Sequence, residues 1–166
     1  MKVLVTAASK HGSTAEIAKA IGAHLTTAGV ETDVRPPDEV TTLLPYDGVV
    51  LGSGVYAGRW LGDAKELVER EARSLRTLPV WLFSSGPIGE EPRPQDVPLD
   101  IAAIRERTGA IDHRVFQGRL ERDQLGLVEK AIMSVVHAPD GDFRDWDAIA
   151  DWTASIARTL QARPVA

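Results

Sequence analysis

The chain has 166 residues, of which 43% are hydrophobic and 26% charged, and its formal net charge is −5. This composition is typical of a globular protein, and we expect one domain over residues 1–166. The negative charge disfavours nucleic-acid binding through a basic face, and the absence of cysteine excludes disulfides, thiolate zinc sites and iron–sulfur clusters. Because we find no secretory leader and no apolar run of about 18 residues, we expect a cytoplasmic protein without a transmembrane segment.

Five segments have the apolar or alternating pattern of β-strands. They are residues 2–8, 30–35, 46–53, 79–84 and 112–120. Helix-like segments follow the strands along the chain, and Gly29 and Gly109 stand where a left-handed residue closes a helix. These helix-like segments are residues 13–27, 38–44, 61–75, 99–108, 123–137 and 146–161.

The alternation of strands and helices predicts the fold. Consecutive parallel strands need crossover connections, which cover both faces of the sheet with helices. We therefore predict an α/β fold: a doubly wound five-stranded parallel sheet in the order 2-1-3-4-5, with helices on both faces and a helix inserted after the fifth strand. Such sheets bind ligands at the carboxyl ends of their strands, near the point where the strand order reverses.

Three loops rich in glycine and hydroxyl residues follow strands one, three and four at that edge: residues 9–14, 54–60 and 85–89. The first reads Ser9-Lys10-His11-Gly12-Ser13-Thr14 and leads into a helix. A helix N-terminus offers free N–H groups and a positive dipole, Gly12 permits a close backbone approach, and hydroxyls add donors. We expect an anion site here, with positive potential from Lys10 and His11. The alternative is that Ser13 and Thr14 only cap the helix.

Three other uses of the first loop are disfavoured by its residues. Walker A and dinucleotide-binding loops need glycine spacings that this loop lacks. A receiver domain needs acidic residues after its first strand, where Thr6-Ala7-Ala8 stand, and a low-molecular-weight phosphatase needs a cysteine nucleophile. No metal site is expected, because the histidines lack metal-binding spacing and residues 140–147 do not match a calcium loop.

The second and third loops have features of a site for a planar ring. Tyr56 stands between Gly54 and Gly58, and an aromatic side chain held beside an anion pocket can stack on such a ring. Trp60, in contrast, is expected to pack beneath the helix that follows it. In the third loop, small residues allow backbone N–H groups to approach ring nitrogens and oxygens, although an ordinary exit from a strand is the alternative.

The first loop resembles the Thr/Ser-x-x-Gly-x-Thr phosphate motif of flavodoxins. Most of the chain is similar to the flavodoxin-domain family that includes the menaquinone-dependent protoporphyrinogen dehydrogenases. The resemblance is carried by the first loop, by YDGVVLGSGVY at residues 46–56, and by the strand at 116–118 with an inserted helix before Asp145-Trp146.

This resemblance implies bound FMN, with its phosphate on the first loop and its isoalloxazine ring between the second and third loops. A deazaflavin is left as an alternative to FMN. The implied cofactor-binding residues are Ser9, Lys10, His11, Gly12, Ser13, Thr14, Ser53, Gly54, Val55, Tyr56, Ala57, Ser84, Ser85, Gly86, Pro87 and Gly89. No catalytic side chain is assigned, because a flavin carries its own chemistry.

Residues 121–145, which we call the insert, differ from the dehydrogenase pattern. Those enzymes carry a basic, aromatic segment suited to a membrane partner, whereas here acidic residues outnumber Arg122, Lys130 and Arg144. The acidic residues are Glu121, Asp123, Glu129, Asp140, Asp142 and Asp145, with Asp147 just beyond. This charge disfavours contact with an anionic membrane surface.

The length of the insert favours an FMN-dependent oxidoreductase that acts on a quinone or a porphyrinogen. Two alternatives stay open: a flavodoxin-type electron carrier between protein partners, and a cofactor-free binding module of the same fold.

Overall fold

A computed structural model describes residues 1–86, 96–121, 125–135 and 141–163. The strands are β1 (Lys2–Ala8), β2 (Glu31–Arg35), β3 (Gly48–Tyr56), β4 (Arg59–Trp60), β5 (Val80–Ser85), β6 (Asp112–Phe116), β7 (Arg119–Leu120) and β8 (Gly141–Asp142). The helices are α1 (Ser13–Thr27), α2 (Gly62–Arg70), α3 (Ala72–Leu75), α4 (Ile101–Thr108), α5 (Leu127–Val135) and α6 (Trp146–Gln161).

The main sheet runs β2-β1-β3-β5-β6 with all four neighbouring pairs parallel. When β5 and β6 are counted as the fourth and fifth strands of the predicted sheet, this is the order 2-1-3-4-5. The predicted fold class and strand order are therefore confirmed. The order reverses between β1 and β3, so the loops that follow β1, β3 and β5 meet at one edge of the sheet.

Side chains that alternate along the central strands fill two cores, one on each face of the sheet. Val3 and Val5 of β1 pack with α1 and α6, whereas Leu4 packs with α2 and α4 on the other face. Because both faces are buried, these strands are continuous apolar runs rather than alternating ones. Gly52 makes room for the ring of Phe83 on the neighbouring strand, since a Cβ at Gly52 would lie 2.2 Å from that ring.

Local structure departs from the predictions at the second loop and at the fifth strand. The predicted loop at residues 54–60 is largely a hairpin, because β3 continues to Tyr56, turns at Ala57-Gly58 and pairs antiparallel with β4. The turn needs two positive φ angles, 48° at Ala57 and 74° at Gly58. The predicted strand at 112–120 divides into β6 and β7, and β7 pairs with β8 in a separate two-stranded sheet.

Two predicted helices are also altered. The prediction of a helix at residues 38–44 is wrong, because this segment forms only a 3₁₀ turn at Pro37–Glu39. The helix predicted at 61–75 is interrupted at Glu71, whose φ of −107° and ψ of 16° separate α2 from α3. The helices at 13–27 and 146–161 have their predicted bounds. Residues 123, 124, 136 and 137 of the predicted insert helix lie outside the described part of the chain.

Candidate functional site

A cavity of about 110 Å³ lies at the carboxyl edge of the sheet, where the three loops meet. It is lined by most of the residues predicted from the sequence: Ser9, Lys10, His11, Ser13, Thr14, Gly54, Val55, Tyr56, Ser85 and Gly86. The doubly wound topology brings these residues together, although they come from segments up to 77 positions apart in the chain (from Ser9 to Gly86).

The first loop has the backbone geometry of an anion site. Gly12 has a φ of 87°, a left-handed conformation that suits glycine, and its N–H donates to Ser9 Oγ at 3.1 Å. The first backbone hydrogen bond of α1 runs from the N–H of Glu16 to the carbonyl of Gly12. The three amides between these residues therefore have no acceptor within the helix, and they lie at the positive end of its dipole.

The hydroxyl groups of the loop are not equivalent. Ser13 Oγ accepts a hydrogen bond from the backbone N–H of Arg119 at 3.2 Å, so Ser13 does not cap α1. Ser9 is engaged with Gly12. Thr14 is buried and lines the cavity, and within the described residues its hydroxyl has no hydrogen-bond partner. Ser9 and Ser13 act as acceptors in these bonds, so their hydroxyl protons stay free to donate, whereas Thr14 has a hydroxyl with neither kind of partner among the described residues.

A carboxylate from α5 contacts both the first and the second loop. Glu129 Oε1 accepts from Tyr56 Oη at 2.8 Å, pairs with Lys10 Nζ, and lies 3.3 Å from His11 Nε2. The hydrogen bond from Lys10, with those from the Gly126 amide and Tyr56, lowers the pKa of Glu129 from 4.5 to about 2. The same contact raises the pKa values of Lys10 and Tyr56. Lys10 also lies over the Tyr56 ring, 4.1 Å from its centroid.

Glycines allow the second and third loops to touch. Gly86 has a φ of 152°, and a Cβ there would lie 3.1 Å from the carbonyl oxygen of Val55. A Cβ at Gly118 would lie 3.2 Å from the Cα of Gly86. The backbones of these three segments therefore form one wall of the cavity, and a side chain at either glycine would require the neighbouring backbone to shift.

Four of the residues predicted to bind a cofactor do not line the cavity: Gly12, Ser53, Ala57 and Ser84. Ser53 Oγ instead accepts from the Leu61 amide at 2.9 Å. Ser84 Oγ accepts from Trp60 Nε1 at 2.8 Å and lies 2.8 Å from His113 Nε2. Trp60 itself is buried with α2, as predicted. Pro87 and Gly89, the other two predicted residues, lie outside the described residues.

Five residues that line the cavity were not predicted: Leu61, Gly118, Arg119, Leu120 and Leu125. Arg119 is the charged member of this group and lies 3.4 Å from Glu16 in the first turn of α1. The carboxyl end of the fifth strand lies at the same edge of the sheet as the other loops, so the residues that follow it could have been predicted in the same way. The sequence analysis instead predicted an unbroken strand to residue 120, whereas the strand breaks at Gly118. Leu125 belongs to the insert, and no local pattern places it here.

The described residues contain neither a metal-binding cluster nor a helix that could span a membrane. No group of three or more His, Asp or Glu side chains in this part of the chain is arranged to hold a metal ion. Among the helices that the structure describes, none is both long and apolar enough to cross a bilayer.

The curated relatives include the protoporphyrinogen IX dehydrogenase [quinone] of Escherichia coli K12. It is 27% identical to this chain over 172 residues, which cover 95% of each protein.

Solved structures share the fold at lower identity. A flavodoxin from the domain Archaea has a TM-score of 0.67 and 16% identity, with 97% of this chain and 99% of that chain covered. The flavodoxin of Streptococcus pneumoniae TIGR4 has a TM-score of 0.63 and 18% identity, covering 98% and 99%. The rubredoxin oxygen:oxidoreductase of Desulfovibrio gigas has a TM-score of 0.66 and 12% identity, covering 97% of this chain and 36% of that one.

The sequence profile of the flavodoxin domain matches residues 4–147, which is most of the chain. This match covers β1 to the start of α6, and with it every loop that surrounds the cavity. The chain therefore belongs to the flavodoxin domain family.

Proposed function

We propose that this protein binds FMN at the carboxyl edge of its sheet and is an oxidoreductase that acts on a quinone or a porphyrinogen. The observation that best supports the proposal is the set of hydrogen-bond donors in the first loop. The Thr14 hydroxyl of this loop has no partner among the described residues, its amides at the start of α1 have no acceptor within the helix, and both lie at a cavity with Tyr56 on its wall. A phosphate monoester is the ligand group that best suits helix amides, a hydroxyl and nearby cations together.

Each part of the site has a role in this proposal. Thr14 and the N-terminal amides of α1 bind the phosphate, Lys10 supplies positive charge beside it, and the His11 ring offers a nitrogen for a further hydrogen bond. Tyr56 on the second loop and Gly86 on the third hold the isoalloxazine ring between them. When bound, the flavin supplies the redox chemistry, and the protein contributes binding, orientation and exclusion of water.

The insert and the similarity to the E. coli protein support an enzyme rather than a carrier. Leu125 of the insert lines the cavity and Glu129 contacts Tyr56 on its wall, so the insert is placed to contact a substrate that approaches the flavin. The E. coli relative is, by its name, a dehydrogenase of protoporphyrinogen IX that uses quinone. A carrier of electrons between proteins is the second candidate, and the half-exposed position of Tyr56 favours it, because protein partners need an accessible cofactor edge.

The cofactor proposal is tested by titrating apo protein with FMN and with riboflavin, which lacks the phosphate. We expect FMN to bind at micromolar concentration or tighter, and riboflavin to bind at least about tenfold more weakly, since charge-assisted hydrogen bonds are strong. Thr14→Leu should abolish the difference between the two ligands. Thr27→Leu, at the exposed far end of the same helix, is the matched control. Equal binding of FMN by wild type and Thr14→Leu would place the phosphate elsewhere.

The choice between enzyme and carrier is tested with the FMN-loaded protein in both redox states. An oxidoreductase in its reduced form should reduce menadione, and in its oxidised form should oxidise protoporphyrinogen, each faster than the same concentration of free FMN in the same redox state. Rates below that of free FMN, together with rapid exchange with a redox protein, would favour the carrier.

A further inference from the structure

Glu129 takes the donors that an anionic ligand of this site would use. Its Oε1 is bonded to side chains of both loops: Lys10 and His11 from the first, and Tyr56 from the second. Its Oε2 accepts from the amide of Gly126, which fixes the carboxylate at the start of α5. Only 13% of the side chain is exposed. The carboxylate is thus held in the way a phosphate or other anion would be held.

The position of α5 also limits the space in the cavity. Sites for ligands of cofactor size usually have volumes of about 300–1,000 Å³, whereas this cavity measures about 110 Å³. Leu125, just before α5, is buried against the cavity, and the Tyr56–Glu129 hydrogen bond spans its margin. A ring system the size of isoalloxazine is larger than this space, and the Tyr56–Glu129 contact borders it.

The Glu129 carboxylate keeps its charge near neutrality. Hydrogen bonds from Lys10, Gly126 and Tyr56 lower its pKa to about 2, so protonation of Glu129 does not open the contact in this range. A ligand that binds the open form better does open it, since a difference in affinity shifts an equilibrium between two forms.

We propose that α5 is a lid over the flavin site, and that Glu129 is its latch, an internal anion that the incoming cofactor displaces from Lys10, His11 and Tyr56. This inference rests on the proposed FMN site and adds what controls entry to it. The affinity measured for a flavin is then the affinity of the open form reduced by the fraction of molecules that are open. Weakening the latch should increase affinity for any ligand that needs the lid open, whether or not the ligand carries a phosphate.

The test compares Glu129→Gln and Glu129→Ala with wild type in titrations of the full-length apo protein with FMN and riboflavin. If the latch is closed in about nine molecules of ten, both variants should bind both ligands about tenfold more tightly. Glu66→Gln is the matched control, because Glu66 is an exposed helical glutamate with no partner among the described residues, and it changes the net charge equally.

Hydrogen exchange on the wild-type protein gives a second measurement that needs no variant. The amides of residues 127–135 should exchange faster after FMN is added, because the displaced carboxylate no longer anchors α5. Faster exchange, with equal gains for the two ligands, supports the lid.

Three results would overturn the lid while leaving the flavin site in place: unchanged or weaker flavin affinity in the Glu129 variants, a gain for FMN alone, or unchanged exchange in α5. A gain for FMN alone would mean that Glu129 only repels the phosphate. If wild type and both variants all fail to bind FMN, the proposed function fails, and the lid is refuted with it.

Discussion

At the scale of single residues, Thr6 is buried in the middle of β1 with no hydrogen-bond partner for its hydroxyl in the described structure. Valine has nearly the same shape and no polar atom to desolvate. Thr6→Val should therefore raise the free energy of unfolding by about 1 kcal/mol, measured by urea denaturation. Thr153→Val is the control. Thr153 Oγ1 donates to the Ile149 carbonyl at 2.7 Å, so this variant should have a lower free energy of unfolding than wild type. A lower free energy of unfolding for Thr6→Val than for wild type would contradict the conclusion that the Thr6 hydroxyl has no hydrogen-bond partner.

A second residue-scale feature is the hydrogen-bond chain from Trp60 to His113. The indole N–H of Trp60 donates to Ser84 Oγ, so the hydroxyl proton of Ser84 is free to donate to His113 Nε2. When Ser84 donates, His113 is neutral with its proton on Nδ1; in the other tautomer His113 Nε2 donates to Ser84 Oγ. Burial, with a smaller contribution from Arg105, lowers the pKa of His113 from 6.5 to about 4.

The pKa of His113 predicts a loss of stability in acid. Between pH 6.5 and about 4 the unfolded chain binds a proton at this residue that the folded protein does not. The stabilising contribution is therefore complete above pH 6.5 and is lost as the pH falls towards 4. Since His113 is only partly buried, we expect about 1–2 kcal/mol to be lost.

The measurement is urea denaturation at several pH values, with His113→Gln for comparison, because glutamine can accept from Ser84 but does not titrate. Other groups titrate in both proteins, so the difference between the two curves isolates His113. A difference in stability that does not change between pH 7 and pH 4.5 would contradict the prediction.

At the scale of elements, the close contact of Gly86 with Val55 sets the distance between the second and third loops. Gly86→Ala adds a Cβ 3.1 Å from the Val55 carbonyl at a φ of 152°, so the end of β5 has to move. We expect a loss of about 1–3 kcal/mol in unfolding free energy and weaker flavin binding in the titration described above. Gly62→Ala is the control, because nothing lies within 4 Å of its added Cβ. Flavin affinity unchanged by Gly86→Ala would mean that this contact does not shape the site.

Two charged side chains of the insert, Arg144 and Glu129, contact α1 and the first two loops. Arg144, whose side chain is 3% exposed, donates to Asp142 in β8 and to Glu16 in α1. The Arg144 side chain is buried beside the start of α1, and β8 is also paired with β7. Among the described side chains, the contacts of α5 with the first two loops are those of one carboxylate, Glu129, at the cavity margin. This difference in anchoring is the reason that we assign the moving part to α5 rather than to β8.

At the scale of the whole molecule, the parallel sheet determines where the site lies. The two cores hold α1 and α6 against one face and α2 and α4 against the other. The carboxyl ends of β1, β3 and β5 are neighbours because these strands pair in register, as in Ala8 with Ser53 and Gly54 with Ser85. The polar loops therefore meet at an edge that the packing of the helices leaves open.

The sequence by itself determined the sheet order and the three loops. Apolar runs, helix periodicity and closing glycines are local signals, and a doubly wound topology follows from their alternation. Local signals also identified Thr14 and Tyr56 as residues suited to a cavity. The hairpin at Ala57-Gly58 was missed because β3 extends beyond its apolar centre into residues that read as a loop.

Only the tertiary structure decided which side chains face the cavity. Successive side chains of a strand point to opposite faces, so Ser84 joins a buried network with Trp60 while Ser85 lines the cavity. Glu129 lies 118 residues from His11 in sequence, and its contact follows from how the insert folds back over the sheet edge. Pairings at such separations depend on the packing of whole elements, which the periodicity of a single segment does not encode.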